Sequence, residues 1–185
     1  FLYPQIDKSQ CIDCGLCEKV CPIIHKWQHD SSRTTTAIAA INLNEEIRLK
    51  SSSGGIFTLI AEKIFAQGGV VFGAVFSDDF KSVRHICVEN IADLDKMRGS
   101  KYVQSKIGDT YKQAKLFLDS GRKVLFTGTP CQIGGLYQKF GKMLDTKIFI
   151  LYFFFKLGAF LQGFFVCFFQ LFIRHDKMLL SSISG

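Results

Sequence analysis

Apolar and polar positions along the middle of the chain follow two periods, which predict a mixture of helices and strands. Ile56–Gln67 carries apolar residues at helical spacing and is followed by two glycines, so a helix is expected to end there. Val70–Phe76 and Lys81–Val88 are β-rich runs separated by a short polar turn. Two further strands are expected at Ala37–Leu43 and Lys123–Thr127.

Three further helices complete this pattern. Asn90–Met97 is predicted to be a short helix capped by its first residue, and Ile107–Leu118 an amphipathic helix. Thr129 and Pro130 suit the N-cap and first helical positions of a third helix, which runs to about Phe140. Strands and helices mixed at this spacing predict an α/β or α+β domain.

The pattern changes near residue 143. Ile148–Ile173 contains 21 apolar residues interrupted by Lys156, and ten of the 19 Phe lie within 149–172. Its length and hydropathy satisfy the requirement for a transmembrane helix, so a membrane anchor through 148–173 is one interpretation. We prefer a frameshift or truncation, because the Phe-rich sequence begins abruptly within a domain. A buried core helix is the third alternative.

Composition and charge narrow the class of protein. The formal net charge is +7, but 23 basic residues are scattered among 16 acidic ones, so nucleic acid is not expected as a partner. The first residues show no basic segment followed by an apolar one, so no signal peptide is predicted. Four of the seven Cys fall within eleven residues, which favours metal ligation in a reducing, cytoplasmic compartment over a disulfide framework.

The four crowded cysteines are Cys11, Cys14, Cys17 and Cys21, in the pattern C-x2-C-x2-C-x3-C followed by proline. Three thiolates at this spacing can reach three irons of a 4Fe-4S cubane, and Gly15 provides the backbone freedom that the loop needs. The fourth points elsewhere and is expected to begin a helix. A zinc site and unliganded thiols are the alternatives, but zinc sites usually separate two ligand pairs more widely.

This segment resembles the second half of a bacterial ferredoxin, in which a stretch like Phe1–Asp7 links two cysteine motifs. The resemblance implies that 1–30 is half of a ferredoxin-like iron–sulfur module whose first motif lies upstream. Cys21 would then lack its expected cluster, and the other three their fourth ligand. Alternatively, all four thiols bind one cluster.

Two loops have the composition of a cofactor site. Ser51–Gly55 opens a helix, and its hydroxyls, glycines and helix-terminal amides suit a phosphate or another anion. Arg98–Tyr102 offers two cations, a glycine and a tyrosine, which suit a cofactor with a phosphate and an aromatic ring. An ordinary serine cap and an exposed basic loop are the alternatives.

Cys131 is a third candidate for the site. It follows a strand and falls in the first turn of the predicted helix, where the helix dipole favours the thiolate form. Such a thiolate is suited to redox or metal chemistry, and a buried structural Cys is the alternative. The other two cysteines, Cys87 and Cys167, are expected to be bystanders.

From about Ala37 to Gly141 the chain resembles the coenzyme F420 hydrogenase/dehydrogenase beta-subunit family, through 48–55, 97–105 and 127–133. The resemblance implies an incomplete α/β flavin-binding domain over 31–142, after the half module and before an aberrant or membrane-candidate tail over 143–185. It also implies FAD, 4Fe-4S clusters, a ferredoxin- or hydrogenase-like redox partner and a small-molecule electron acceptor. The implied flavin-contacting residues are Ser52, Ser53, Gly54, Gly55, Arg98, Ser100, Lys101 and Thr129.

Together these features predict an α+β iron–sulfur flavoprotein oxidoreductase subunit. Electrons would pass between 4Fe-4S clusters and FAD, and on to a deazaflavin or another organic acceptor. Cys131 would be a flavin-proximal thiolate or a cluster ligand. The chain is expected to be a fragment, truncated at both ends and inactive alone. The alternatives are a non-catalytic ferredoxin-type electron carrier and, if the tail is genuine, a membrane-anchored redox adaptor.

Overall fold

A computed structural model describes residues 5–21, 23–24 and 40–140, together with the backbone of 148–152 and 171–172. The helices are α1 (Leu16–Lys19), α2 (Glu45–Leu49), α3 (Ile56–Ala66), a 3-10 helix (Leu94–Met97), α4 (Thr110–Asp119) and α5 (Pro130–Phe140). The strands are β1 (Val70–Phe76), β2 (Val83–Val88), β3 (Val124–Gly128), β4 (Ile148–Tyr152) and β5 (Leu171–Phe172).

The described strands form one mixed sheet in the order β2-β1-β3-β4-β5. β1 and β2 form an antiparallel hairpin, whereas β3 runs parallel to both β1 and β4. β4 and β5 are antiparallel. Because β1 and β3 are parallel, their carboxyl ends lie at the same edge of the sheet, which is where loops carry functional groups in such folds.

Helices pack on both faces of the sheet, and alternate strand residues face opposite sides. Val71 and Leu125 lie in a buried cluster with α3 and the 3-10 helix. Phe72 and Phe126 lie in a second cluster with α4 and α5. Burial on both faces explains why the strand sequences are almost continuously apolar. The predicted mixed α+β fold is confirmed.

Most predicted elements are confirmed near their expected bounds, but two differ. The predicted helix Asn90–Met97 is observed only as the 3-10 helix Leu94–Met97. The Asn90 side chain accepts a hydrogen bond from the Asp93 backbone amide, which forms a local turn in place of the first helical residues. The predicted strand Ala37–Leu43 is wrong for its described residues 40–43. The amide of Asn42 donates to the Gly54 carbonyl, so this backbone pairs with the serine–glycine loop and not with the sheet.

The apolar tail lies largely outside the described residues. Within it, 148–152 forms the strand beside β3, and 171–172 forms the short strand β5. Among the residues that the structure describes, no helix is both long and apolar enough to cross a membrane. The domain boundaries at 30 and 142 stay predictions.

Candidate functional site

The cysteine loop turns through two left-handed backbone positions. Asp13 has φ of 53° and Gly15 has φ of 66°, and α1 begins directly after Gly15. The amide of Asp13 donates to the Cys11 sulfur at 3.4 Å. An N–H donor toward a sulfur stabilises negative charge on a thiolate ligand, and such bonds tune the potential of iron–sulfur clusters.

The donors in this loop suit a 4Fe-4S group. Cys11, Cys14 and Cys17 are exposed free thiols, and Cys21 is half-buried after α1. Their number, spacing and softness match the ligands of such clusters. In 5–21, 23–24 and 40–140, no three His, Cys, Asp or Glu side chains converge on a metal position, so the fit rests on donor type, spacing and the Asp13 bond. The expected helix after Cys21 falls largely outside the described residues, and the described helix α1 ends before it, at Lys19.

The serine–glycine loop is anchored by the buried side chain of Asn42. The backbone amide of Asn42 donates to the Gly54 carbonyl at 2.6 Å, and the side-chain Nδ2 donates to the Gly55 carbonyl at 3.3 Å. A Cβ at Gly54 would lie 2.7 Å from the Ala40 carbonyl oxygen. Gly55 has φ of 74°, and its Cβ would lie 3.0 Å from the Asn42 Cβ. Glycine is therefore required at both positions by space or conformation.

The N-terminus of α3 is left without a side-chain cap. Its N-cap is Gly55, which offers no side chain, and Ser51 instead donates its hydroxyl to the Ile47 carbonyl. Ser52 is exposed, and its hydroxyl accepts from the Ser100 amide at 2.5 Å. Ser53 is half-buried. The first-turn amides of a helix this long carry a partial positive charge that favours an anion.

Arg98 adds a fixed cation beside that helix end. Its side chain is only 9% exposed, and its Nε donates to the Thr58 hydroxyl in the first turn of α3 at 3.1 Å. The same guanidinium contacts Asp95, which offsets part of its charge. Arg98 also helps to lower the pKa of Glu46, after the larger effect of Lys50.

Lys101 turns back onto its own loop. Its Nζ lies 2.8 Å from the Met97 and Arg98 carbonyl oxygens, 3.1 Å from that of Gly99 and 3.2 Å from that of Lys96. Burial lowers the pKa of Lys101 to about 8. These contacts make Lys101 an organiser of the loop, and direct contact with a cofactor stays a prediction.

The third segment is the turn from β3 into α5. The Ile133 amide donates to the Thr129 carbonyl, so Thr129 and Pro130 occupy the expected cap and first helical positions. Cys131 is exposed in the first turn, and its sulfur lies 3.1 Å from the Thr129 hydroxyl. This part of the site follows the sequence pattern closely.

A buried polar chain beneath this turn was missed by the sequence analysis. His85 Nε2 lies 2.8 Å from the Thr127 carbonyl oxygen, and its Nδ1 lies 2.9 Å from the Ser105 hydroxyl. Gln132 then bonds both Ser105 and the Thr129 amide. Only Gln132 had a local signal, because a Gln three residues after a Thr N-cap completes a capping box.

Contacts across the sheet edge bring the predicted segments together. The Ser52–Ser100 bond joins the serine–glycine loop to the Arg98–Lys101 loop. A Cβ at Gly73 in β1 would lie 2.9 Å from the Met97 sulfur and 3.0 Å from the Thr127 hydroxyl, so the start of the second loop and the end of β3 meet over Gly73. The four cysteines occupy a separate segment of the chain.

Comparisons with known proteins give two family matches, each to a different segment of the chain. Residues 3–26 match the family described as a 4Fe-4S binding domain. Residues 37–111 match the family described as coenzyme F420 hydrogenase/dehydrogenase, beta subunit N-term. No curated protein matches the chain.

A solved structure described as a xenon derivative of the F420-reducing NiFe hydrogenase complex from Methanosarcina barkeri is similar in fold. Its identity is 23% and its TM-score 0.50, over 67% of this chain and 46% of that one. The chain thus spans less than half of this structural relative. By these matches, residues 37–111 are similar to the N-terminal part of coenzyme F420 hydrogenase/dehydrogenase beta subunits, and residues 3–26, in front of them, to 4Fe-4S binding domains.

Proposed function

We propose that the chain is the iron–sulfur flavoprotein subunit of an oxidoreductase, passing electrons between 4Fe-4S clusters and FAD and on to a deazaflavin or another organic acceptor. The observation that carries this proposal is the hydrogen bond between the Ser52 hydroxyl and the Ser100 amide. It joins two loops, 48 residues apart in sequence, at one uncapped helix end.

The charge and hydrogen-bond donors at this helix end suit the pyrophosphate of FAD. The α3 amides offer donors, and Arg98 holds a nearly buried cation against Thr58 in the first turn. A helix N-terminus together with a guanidinium binds phosphate oxygens more strongly than either alone. The exposed Ser52 and the half-buried Ser53 add hydroxyls at the rim.

The cysteine loop would hold the iron–sulfur group. Cys11, Cys14, Cys17 and Cys21 supply thiolate ligands, and the Asp13 amide stabilises the charge on one of them. When bound, the clusters carry single electrons and FAD links these to hydride chemistry. Cys131 lies at the sheet edge as a flavin-proximal thiolate or a further ligand.

The partners follow from the same interpretation. A redox protein or subunit would exchange electrons with the clusters, and a small organic molecule would accept them at the flavin. The family match and the fold of a hydrogenase subunit support a protein partner. Six free thiols among the described residues support a reducing compartment such as the cytoplasm.

The test is FAD binding to the full chain, reconstituted anaerobically with iron and sulfide. Ser52→Ala removes the acceptor for the Ser100 amide, so FAD affinity should fall roughly 3- to 10-fold, the effect of one hydrogen bond. Ser120→Ala is the matched control, because the Ser120 hydroxyl also bonds one backbone group but lies at the end of α4. Clusters without FAD binding would favour the electron-carrier alternative.

A further inference from the structure

The polar chain beneath the β3–α5 turn has a defined direction. The Thr127 carbonyl oxygen only accepts, so His85 Nε2, at 2.8 Å, must donate to it. In a neutral ring Nδ1 is then the acceptor, and the Ser105 hydroxyl donates to it at 2.9 Å. His85 is 6% exposed, and burial lowers its pKa, which favours the neutral ring.

Gln132 completes the chain. Its Nε2 donates to the Ser105 hydroxyl at 2.9 Å and to the Ser105 carbonyl at 3.1 Å. Its Oε1 is left to accept from the Thr129 amide at 2.9 Å. The carbonyl before Gly128 and the amide after it are therefore held by the two ends of one hydrogen-bond chain that starts at His85.

The surroundings restrict movement of this chain. The Tyr111 hydroxyl donates to the Gln132 carbonyl at 2.5 Å, and the His85 ring stacks on Phe126 with centroids 5.4 Å apart. A Cβ at Gly128 would lie 3.0 Å from Gln132 Oε1, so only glycine leaves that oxygen undisturbed. With the hydrogens placed as described above, every donor and acceptor in this hydrogen-bond chain has a partner.

We propose that His85, as a neutral imidazole with its hydrogen on Nε2, is a positioning residue of the cofactor site. It acts through Ser105 and Gln132 to set the turn that presents Thr129 and Cys131 at the sheet edge. The role of this turn in binding rests on the function proposed above, whereas the positioning itself depends only on the hydrogen-bond chain.

The first test is the tautomer of His85 in the reconstituted full chain, followed by NMR with isotope-labelled histidine. The His85→Gln variant identifies the signal by its loss among the four His of the sequence. The expected spectrum shows a protonated Nε2 and an unprotonated Nδ1 at neutral pH. A neutral ring with its hydrogen on Nδ1, or a ring protonated on both nitrogens, would overturn the proposal.

The second test is hydrogen exchange of the Thr129 amide. Ser105→Ala interrupts the chain and should speed exchange of that amide roughly 3- to 10-fold, with β1 amides unchanged. Ser105→Thr keeps a hydroxyl and should restore slow exchange, and Ser120→Ala should have no effect. Unchanged Thr129 exchange in Ser105→Ala, or equal acceleration throughout β1, would contradict a positioning role.

FAD affinity measured on the same variants links the turn to the site. It should fall roughly 3- to 10-fold in Ser105→Ala and recover in Ser105→Thr. If the wild-type chain binds no FAD, the proposed function fails while the tautomer and exchange results still decide the positioning. If FAD binds equally to all variants although exchange changes, the turn is not part of the cofactor site.

Discussion

Replacing Gly55 by Ala should destabilise the fold more than the same change at Gly68, although both have nearly the same backbone conformation. Gly55 has φ of 74° and Gly68 has φ of 69°, at opposite ends of α3. An Ala in this left-handed region costs about 1–2 kcal/mol, partly offset by about 0.4–1 kcal/mol from the stiffer unfolded chain. Gly68→Ala should therefore lower the free energy of unfolding by about 1 kcal/mol.

The two sites differ in the space around the added methyl group. Among the described residues other than its two chain neighbours, no atom lies within 4 Å of a Cβ at Gly68, whereas a Cβ at Gly55 would lie 3.0 Å from the Asn42 Cβ. Asn42 cannot retreat easily, because it is 2% exposed and bonded to both Gly54 and Asn44. This overpacking adds about 1–3 kcal/mol to the loss at Gly55.

The assay is urea unfolding of both variants, followed by far-UV circular dichroism under anaerobic conditions. The midpoint for Gly55→Ala should lie below that for Gly68→Ala, with similar slopes. FAD affinity should fall only in Gly55→Ala, whose loop belongs to the candidate site. Equal midpoints, or a lower midpoint for Gly68→Ala, would refute the reasoning from Asn42 crowding.

Three further changes test other parts of the structure. Burial lowers the pKa of His85, so the stability that its neutral form contributes is present above about pH 6.5 and is lost as pH falls toward the folded-state pKa. As pH falls from about 7.5 to 5.5, the free energy of unfolding should therefore decline less in His85→Gln than in the wild type. Arg122→Ala removes contacts to the Gly68 carbonyl and the Phe117 ring and should cost about 1–2 kcal/mol in thermal unfolding; no change in the midpoint would contradict this. Gly15→Ala places a side chain at φ of 66° and should lower the iron bound on reconstitution, with Gly15→Asn less affected; equal iron content would contradict this.

Local patterns predicted the elements whose formation depends on neighbouring residues. β1 was predicted with its observed bounds, and α3 differs from its prediction by one residue. The start of α5 was also predicted, because Thr129 and Pro130 carry the signals of a cap and a first turn. The signals for these elements lie within or directly beside them, so they can be recognised without knowledge of the rest of the chain.

The elements that were missed depend on distant partners. Asn42 lies in an apolar run that resembles a strand, but its partners are carbonyls in the serine–glycine loop. His85, Ser105 and Gln132 are separated by at least 20 residues, and only the fold brings them into one chain. The sequence likewise did not show that Lys101 organises its own loop, because its amine contacts carbonyl oxygens of that loop only in the folded chain.

The most direct measurement is the anaerobic absorption spectrum of the full chain after reconstitution with iron, sulfide and FAD and removal of unbound cofactor. We expect flavin bands on top of the broad iron–sulfur absorption. Ser52→Ala should weaken the flavin bands at limiting FAD, while Cys14→Ala should reduce the iron–sulfur absorption. An iron–sulfur spectrum without flavin would contradict the claim that this sheet edge is an FAD site.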